Sequence, residues 1–166
     1  MIQEIVITPY RDAFHKPVVD LILSVQQEYN VPVTYEDQPD LKNIPAGYQT
    51  GSGNLWVALD NENVVGTIAL IDRSQQTGVL RKMFVLADYR GAAKGVAKRL
   101  LDTLLQWAGD HGIRHIFLGT NTLLPAASRF YEKHGFHLVG NDALPPHVEA
   151  IRMAVDNRHY HKELAA

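Results

Sequence analysis

Val79-Leu80-Arg81-Lys82-Met83-Phe84-Val85 leads through Leu86-Ala87-Asp88 into Tyr89-Arg90-Gly91-Ala92-Ala93-Lys94-Gly95-Val96-Ala97-Lys98-Arg99-Leu100-Leu101. The first run is apolar and suited to a strand. The last part begins an amphipathic helix, and glycines separate the two. Backbone N–H groups in the first turn of a helix lack intrahelical partners and can bind anionic oxygens. Gly91 and Gly95 let a backbone approach a ligand without a Cβ in the way. Between 81 and 99, Arg81, Lys82, Arg90, Lys94, Lys98 and Arg99 stand against one acid, Asp88. The junction reads as a site for a polyanion.

On the C-terminal side, Val96, Ala97, Leu100, Leu101, Leu104, Leu105 and Ala108 give a helix over 94–110 one apolar face, and Gly112 suits its stop. A strand over 113–118, a helix over 125–134 closed by Gly135, a strand over 136–139, a turn at Pro145-Pro146 and a last strand over 150–155 follow. On the N-terminal side, 2–8 is rich in Ile and Val and reads as a strand. Pro17 can open a helix carrying Val18, Leu21, Ile22 and Val25. Residues 30–53 are polar and punctuated by Pro32, Pro39, Pro45, Gly47, Gly51 and Gly53, a loop region with a short helix near Leu41. Strands over 55–59 and 64–71 flank a hairpin turn at 60–63. The expected fold is α/β of the α+β kind: a mixed, mostly antiparallel central sheet of about seven strands flanked by about four helices. The strand–helix–strand unit over 79–118 requires a parallel pair.

The chain has 166 residues, 46% hydrophobic and 20% charged, with net charge −2 and no cysteine. These values suit one globular domain over 1–166, with 157–166 as a tail that is partly disordered or a partner surface. They exclude disulfides, thiolate metal sites and cysteine nucleophiles. They give no global attraction for nucleic acid or membrane, and without a leader or a spanning segment the expected location is cytoplasmic. His111/His115 and His159/His161 are too poorly spaced to be read as metal sites, so no metal is expected. Gly91 to Gly95 lacks the spacing and Lys-Ser/Thr of a nucleotide-triphosphate loop.

Together with the element order, the loop Tyr89-Arg90-Gly91 to Lys94-Gly95-Val96-Ala97 and the later Arg129-Phe130-Tyr131-Glu132-Lys133-His134-Gly135-Phe136 resemble the GCN5-related N-acetyltransferase (GNAT) superfamily over about 2–156. There are two departures. Ala92-Ala93 lengthen the loop by two residues and displace Arg90 from the helix start. Leu124 stands where many relatives carry Asn. The resemblance implies an acyl-CoA N-acyltransferase-like fold and acetyl-CoA as co-substrate. It places the pyrophosphate at Arg90, Gly91, Lys94, Gly95, Val96, Ala97 and Lys98, and the pantetheine arm along the backbone of Met83, Phe84 and Val85. It casts Tyr131 as the acid that protonates the leaving thiolate. The acceptor is then a primary amine of a small molecule, amino acid or peptide, bound on the side of the 30–53 region and attacked directly in a ternary complex. Transfer to protein lysines or N-termini and a non-catalytic acyl-CoA sensor are the competing readings. A homodimer is allowed. The base stays open among Glu28, Glu36, Asp37, Asp72, His147 and Glu149.

Overall fold

The structure, a computed structural model, describes residues 4–165. The chain runs β1 (Ile5–Pro9), α1 (His15–Glu28), α2 (Ile44–Tyr48), β2 (Asn54–Asp60), β3 (Asn63–Asp72), β4 (Thr77–Val85), α3 (Val96–Asp110), β5 (His115–Thr120), α4 (Pro125–Lys133), β6 (His137–Val139), α5 (Pro146–Glu149) and β7 (Arg158–Glu163). Seven strands form one sheet in the order β1-β2-β3-β4-β5-β7-β6. Among the described residues β4 and β5 form the one parallel pair, bridged by α3; the other pairs are antiparallel. The expected strand over 2–8 begins at Ile5, and Ile2 and Gln3 lie outside the described residues.

β2 and β3 read as continuous apolar runs because both their faces are covered. Leu55, Val57, Val64 and Ala69 pack with Val18, Ile22 and Val25 of α1 and with Ile44 and Tyr48 of α2. Trp56, Ala58, Val65, Ile68 and Leu70 pack with Val96, Leu100, Leu101, Leu104 and Ala108 of α3 and with Tyr131 of α4. The helical period of α3 thus meets the two-residue period of the strands. Each fully buried leucine there contributes about 2 kcal/mol by apolar burial.

The end of α3 follows from two residues. Gly112 has φ 77°, Ile113 N–H donates to the Ala108 carbonyl at 2.9 Å, and Gly112 N–H donates to that of Gly109 at 3.3 Å. This is a Schellman cap, closed by the buried contact of Ile113 with Ala108. It explains why the following strand starts at His115 and not at 113. Open space surrounds the position of a Cβ at Gly112, so Gly112→Ala carries only the left-handed backbone penalty. Urea denaturation should show a loss of about 1 kcal/mol.

Two expectations fail at the C-terminus. Residues 150–155 are not a strand, although Ile151, Met153 and Val155 alternate as a strand would. Ile151 packs with the cluster of Val79, Phe117, Leu144 and Val148, while Met153 and Val155 turn toward the cleft described below. The segment expected to be a loose tail is β7, inserted between β5 and β6 with Tyr160 fully buried. Its Arg158, Lys162 and Glu163 hide the pattern, because the buried positions fall on a histidine and a tyrosine. The turn at Pro145-Pro146 is the entry of α5, with Pro146 in its first turn.

Candidate active site

β4 and β5 pair only from Thr77/His115 to Leu80/Leu118. Beyond that point β4 runs on to Val85 and β5 to Thr120 without bonding each other, so the sheet splits. The register between β3 and β4 slips there too: Ala69 faces Arg81 while Thr67 faces Phe84. Lys82 and Met83 thus share one partner position. Such a bulge bends a strand and raises its twist, which carries β4 away from β5. Lys82 adopts φ 53°, a left-handed conformation that costs a residue with a side chain about 1 kcal/mol or more. The Thr67 hydroxyl holds the bulge by donating to the Lys82 carbonyl at 2.7 Å.

The split opens a cleft of about 690 Å³, including its open mouth. Leu80 to Phe84 form one wall, and Gly119, Thr120 and Asn121 form the other. Leu124 just ahead of α4 and Ala127 and Tyr131 within it close one side, Gln26, Val31 and Val33 another, and Met153, Val155 and Asp156 roof it. Of the expected strand residues, Met83 and Phe84 line the cleft, while Val85 is buried in the core with Val96 and Leu100 and is not part of the lining.

Past the C-terminal end of β4 the chain turns through 86–95 into α3. Gly95 caps it at φ 71°, with no side-chain cap and no acidic residue in the first turn. The Gly91 carbonyl takes the N–H groups of Lys94 and Gly95 at 3.1 and 3.3 Å. Those of Val96, Ala97 and Lys98 are the first-turn donors that no helix can satisfy internally. A Cβ at Gly91 or Gly95 would meet nothing within 4 Å. The backbone is therefore open to a ligand as a phosphate cradle requires, and Ala92-Ala93 form an exposed turn beside it.

The basic residues near this turn are dispersed. Arg90 donates to both carboxylate oxygens of Glu28 at 2.7 Å, to the Tyr29 hydroxyl at 2.7 Å and to the Val85 carbonyl at 2.7 Å. Lys98 pairs with Asp102 at 2.6 Å. Arg99 donates to the Ile5 carbonyl at 2.6 Å. Arg81 donates to the Ile151 carbonyl. Lys82 is buried, donates to Gln38 and lies 3.6 Å from Asp40, and burial lowers its proton affinity. Lys94 remains exposed at the helix start.

Tyr131 is 5% exposed and packs edge-on against Phe130 and Phe136. Its hydroxyl makes no hydrogen bond among the described residues. Burial, reinforced by nearby Asp156, raises its pKa well above the ordinary phenol value, so the group stays a donor. The base candidates go elsewhere. Glu28 is held by Arg90, whose hydrogen bonds keep its carboxyl below the usual range. Glu36 pairs with Lys42, Asp37 closes a turn with Thr34, Asp72 accepts from Ser52 and Ser74 N–H groups, and Glu149 faces Arg152. None of these, nor His147, lines the cleft. Asp156 does, and among the described residues it is the one carboxylate that does so. No sequence spacing marked it, because its place depends on the turn at 153–156 and the late strand after it.

No group of three His, Asp or Glu among the described residues is placed to hold a metal ion. No helix among them is long and apolar enough to cross a membrane.

A family model described as an acetyltransferase (GNAT) domain matches residues 51–138, more than half the chain. A GNAT-family acetyltransferase from Staphylococcus aureus Mu50 superposes with a TM-score of 0.92 at 35% identity, covering 98% of this chain and 100% of that one. N-acetylaspartate synthetase of Danio rerio is 36% identical over 103 residues, 61% of this chain and 36% of that protein. N-acetyltransferase 8F1 of Rattus norvegicus is 33% identical over 106 residues, 61% of this chain and 47% of that protein. The chain thus spans about half or less of these two relatives. A seven-stranded sheet split between its parallel strands, a glycine-capped helix that follows the first of them and a sequence match across both place the chain in the GNAT family of N-acetyltransferases.

Proposed function

We propose that the protein transfers an acetyl group from acetyl-CoA to a primary amine by direct attack in a ternary complex. The observation that carries this reading is the split between β4 and β5, which among the described residues leaves one edge of each strand without a strand partner, followed by a helix start that has no side-chain cap. An extended arm bearing amides can add to such an edge as a further strand. A diphosphate suits the N–H groups of Val96, Ala97 and Lys98 and the positive end of α3. Lys94 is the cation best placed to join it. Arg90, held by Glu28, sets the loop and leaves the phosphates to the backbone.

The reacting end of the arm would then lie in the cleft near Tyr131. Backbone N–H groups of the β4 wall can stabilise negative charge on the thioester oxygen. The amine attacks the carbonyl carbon and forms the C–N bond. The C–S bond breaks, and the sulfur takes a proton from Tyr131. The proton that nitrogen loses on becoming an amide restores the phenol.

Titration with CoA at about a hundred times its Kd should raise stability by about 2.7 kcal/mol. Free-thiol release from acetyl-CoA should then appear with at least one member of an amine panel. N-acetylaspartate synthetase is named for an N-acetylated amino acid, so amino acids lead the panel, followed by polyamines, aminoglycosides and lysine peptides. Stabilisation by CoA without thiol release from any amine would leave a binding module. An absence of CoA binding would remove the proposal.

A further inference from the structure

We infer that Asp156 is the group that receives the acceptor ammonium and removes its proton. The inference rests on the acetyl-transfer reading above and adds the residue that the reading lacks. Asp156 sits where two cavities meet. One is the cleft, shared with Tyr131; the other is a hollow of about 290 Å³ beneath 144–152, lined by Val79, Phe117, Leu144, Val148 and His159 among others. Arg81, Gly119 and Asp156 line both. The carboxyl lies against the backbone of Gly119, where a Cβ would come within 2.8 Å of the Asp156 Cγ. A residue with a side chain at 119 would push it out. The turn from Met153 carbonyl to Asp156 N–H at 3.1 Å and the bond from Asn157 N–H to the Thr120 carbonyl at 3.0 Å fix it from the other side. It is a carboxylate built into a cleft wall, with no hydrogen bond given to it by the described residues.

The charged and titratable groups around it are Arg81 and Lys82 of β4, Arg152 of the covering segment, Tyr131 of α4 and His159 of β7. The three cations favour its ionised form, yet burial outweighs them and lifts its pKa to about 6. A carboxylate with such an affinity accepts a proton more readily than a solvated one and is still ionised at neutral pH. His159 is 3% exposed, and both its ring nitrogens lack hydrogen-bond partners among the described residues. Burial lowers its pKa, so it adds no positive charge beside the entering ammonium. The proton balance is simple. An ammonium gives one proton to Asp156, the free amine attacks, and Asp156 later returns the proton to solvent.

The test uses the full chain, acetyl-CoA and the amine that supports thiol release in the panel. In the wild type kcat/KM should fall as pH drops through about 6, because Asp156 must be ionised, and should be flat above. Asp156→Asn should lower kcat/KM at pH 7 by about a hundred- to ten-thousand-fold, the range for losing a general base. It should also replace the plateau by a rise of one decade per pH unit up to the amine's own pKa. Asp156→Glu, which keeps a carboxylate, should restore the acid limb. CoA affinity should be unchanged in both variants. Near-normal turnover by Asp156→Asn at pH 7, or a wild-type profile with no limb near pH 6, overturns the assignment while leaving acetyl transfer intact. Failure of the wild type to bind CoA would instead bring down the reading on which it rests.

Discussion

Tyr131→Phe is expected to bind CoA as the parent does and to turn over about ten- to a thousand-fold more slowly, as loss of general-acid help implies. The substitution isolates the hydroxyl. The ring keeps its contacts with Phe130 and Phe136, and no described residue loses a hydrogen bond with it. Folding stability should therefore be close to unchanged, since the ring stays packed and the hydroxyl gives no hydrogen bond to a described residue. The loss should fall on kcat and not on KM for acetyl-CoA, because the proton is needed only as sulfur departs. Burial keeps the phenol protonated throughout the working range, so Tyr131 itself adds no limb to the pH profile below neutrality. Any limb near pH 6 then belongs to another group. Steady-state kinetics with a CoA titration separates the outcomes. An unchanged kcat removes Tyr131 from the chemistry, and a weakened CoA complex would make it a binding residue.

The sequence carried the fold wherever local chemistry and burial agreed. β2 and β3 were legible because both faces are covered and few polar residues interrupt them. The ends of α3 were marked by Gly95 and Gly112, each in a left-handed conformation that few other residues adopt cheaply. β7 was not legible. Between β5 and β6 its interior positions fall on His159 and Tyr160, and its other residues are charged or polar. Residues 150–155 misled for the opposite reason: their alternation serves packing over β4 and β5 without any strand pairing. The site divides the same way. Tyr131 was singled out only through the resemblance, by its spacing to Gly135-Phe136, and the fold sets it in the cleft wall. Lys82 looked like one cation of a phosphate cluster. Its burial depends on Gln38 and Asp40, supplied by a distant loop, and on a bulge that no residue type announces. The place of Asp156 in the cleft lining was invisible because the elements that set it there are those the pattern misassigned.

Ala97→Asp should drive stability and cofactor affinity in opposite directions. Ala97 lies in the first turn of α3, is half-buried, and has no acidic neighbour in that turn. A carboxylate there faces the positive end of a 15-residue helix, which favours the free protein by about 0.3–1 kcal/mol. The same carboxylate would stand beside the proposed diphosphate. At a separation of about 5 Å and an effective dielectric of about 20, each pair of like charges costs about 3 kcal/mol. That corresponds to about a hundredfold loss of CoA affinity. Urea denaturation of the free protein and calorimetric titration with CoA measure the two effects separately. Raising the salt concentration should narrow the affinity gap, because the repelling charges sit at a solvent-exposed helix end. A general lesion in α3 would lower both quantities together. Stability up with affinity unchanged would show that the helix dipole is real while the phosphates bind elsewhere. Only stability up with affinity down fits a helix start whose open N–H groups are the anion site.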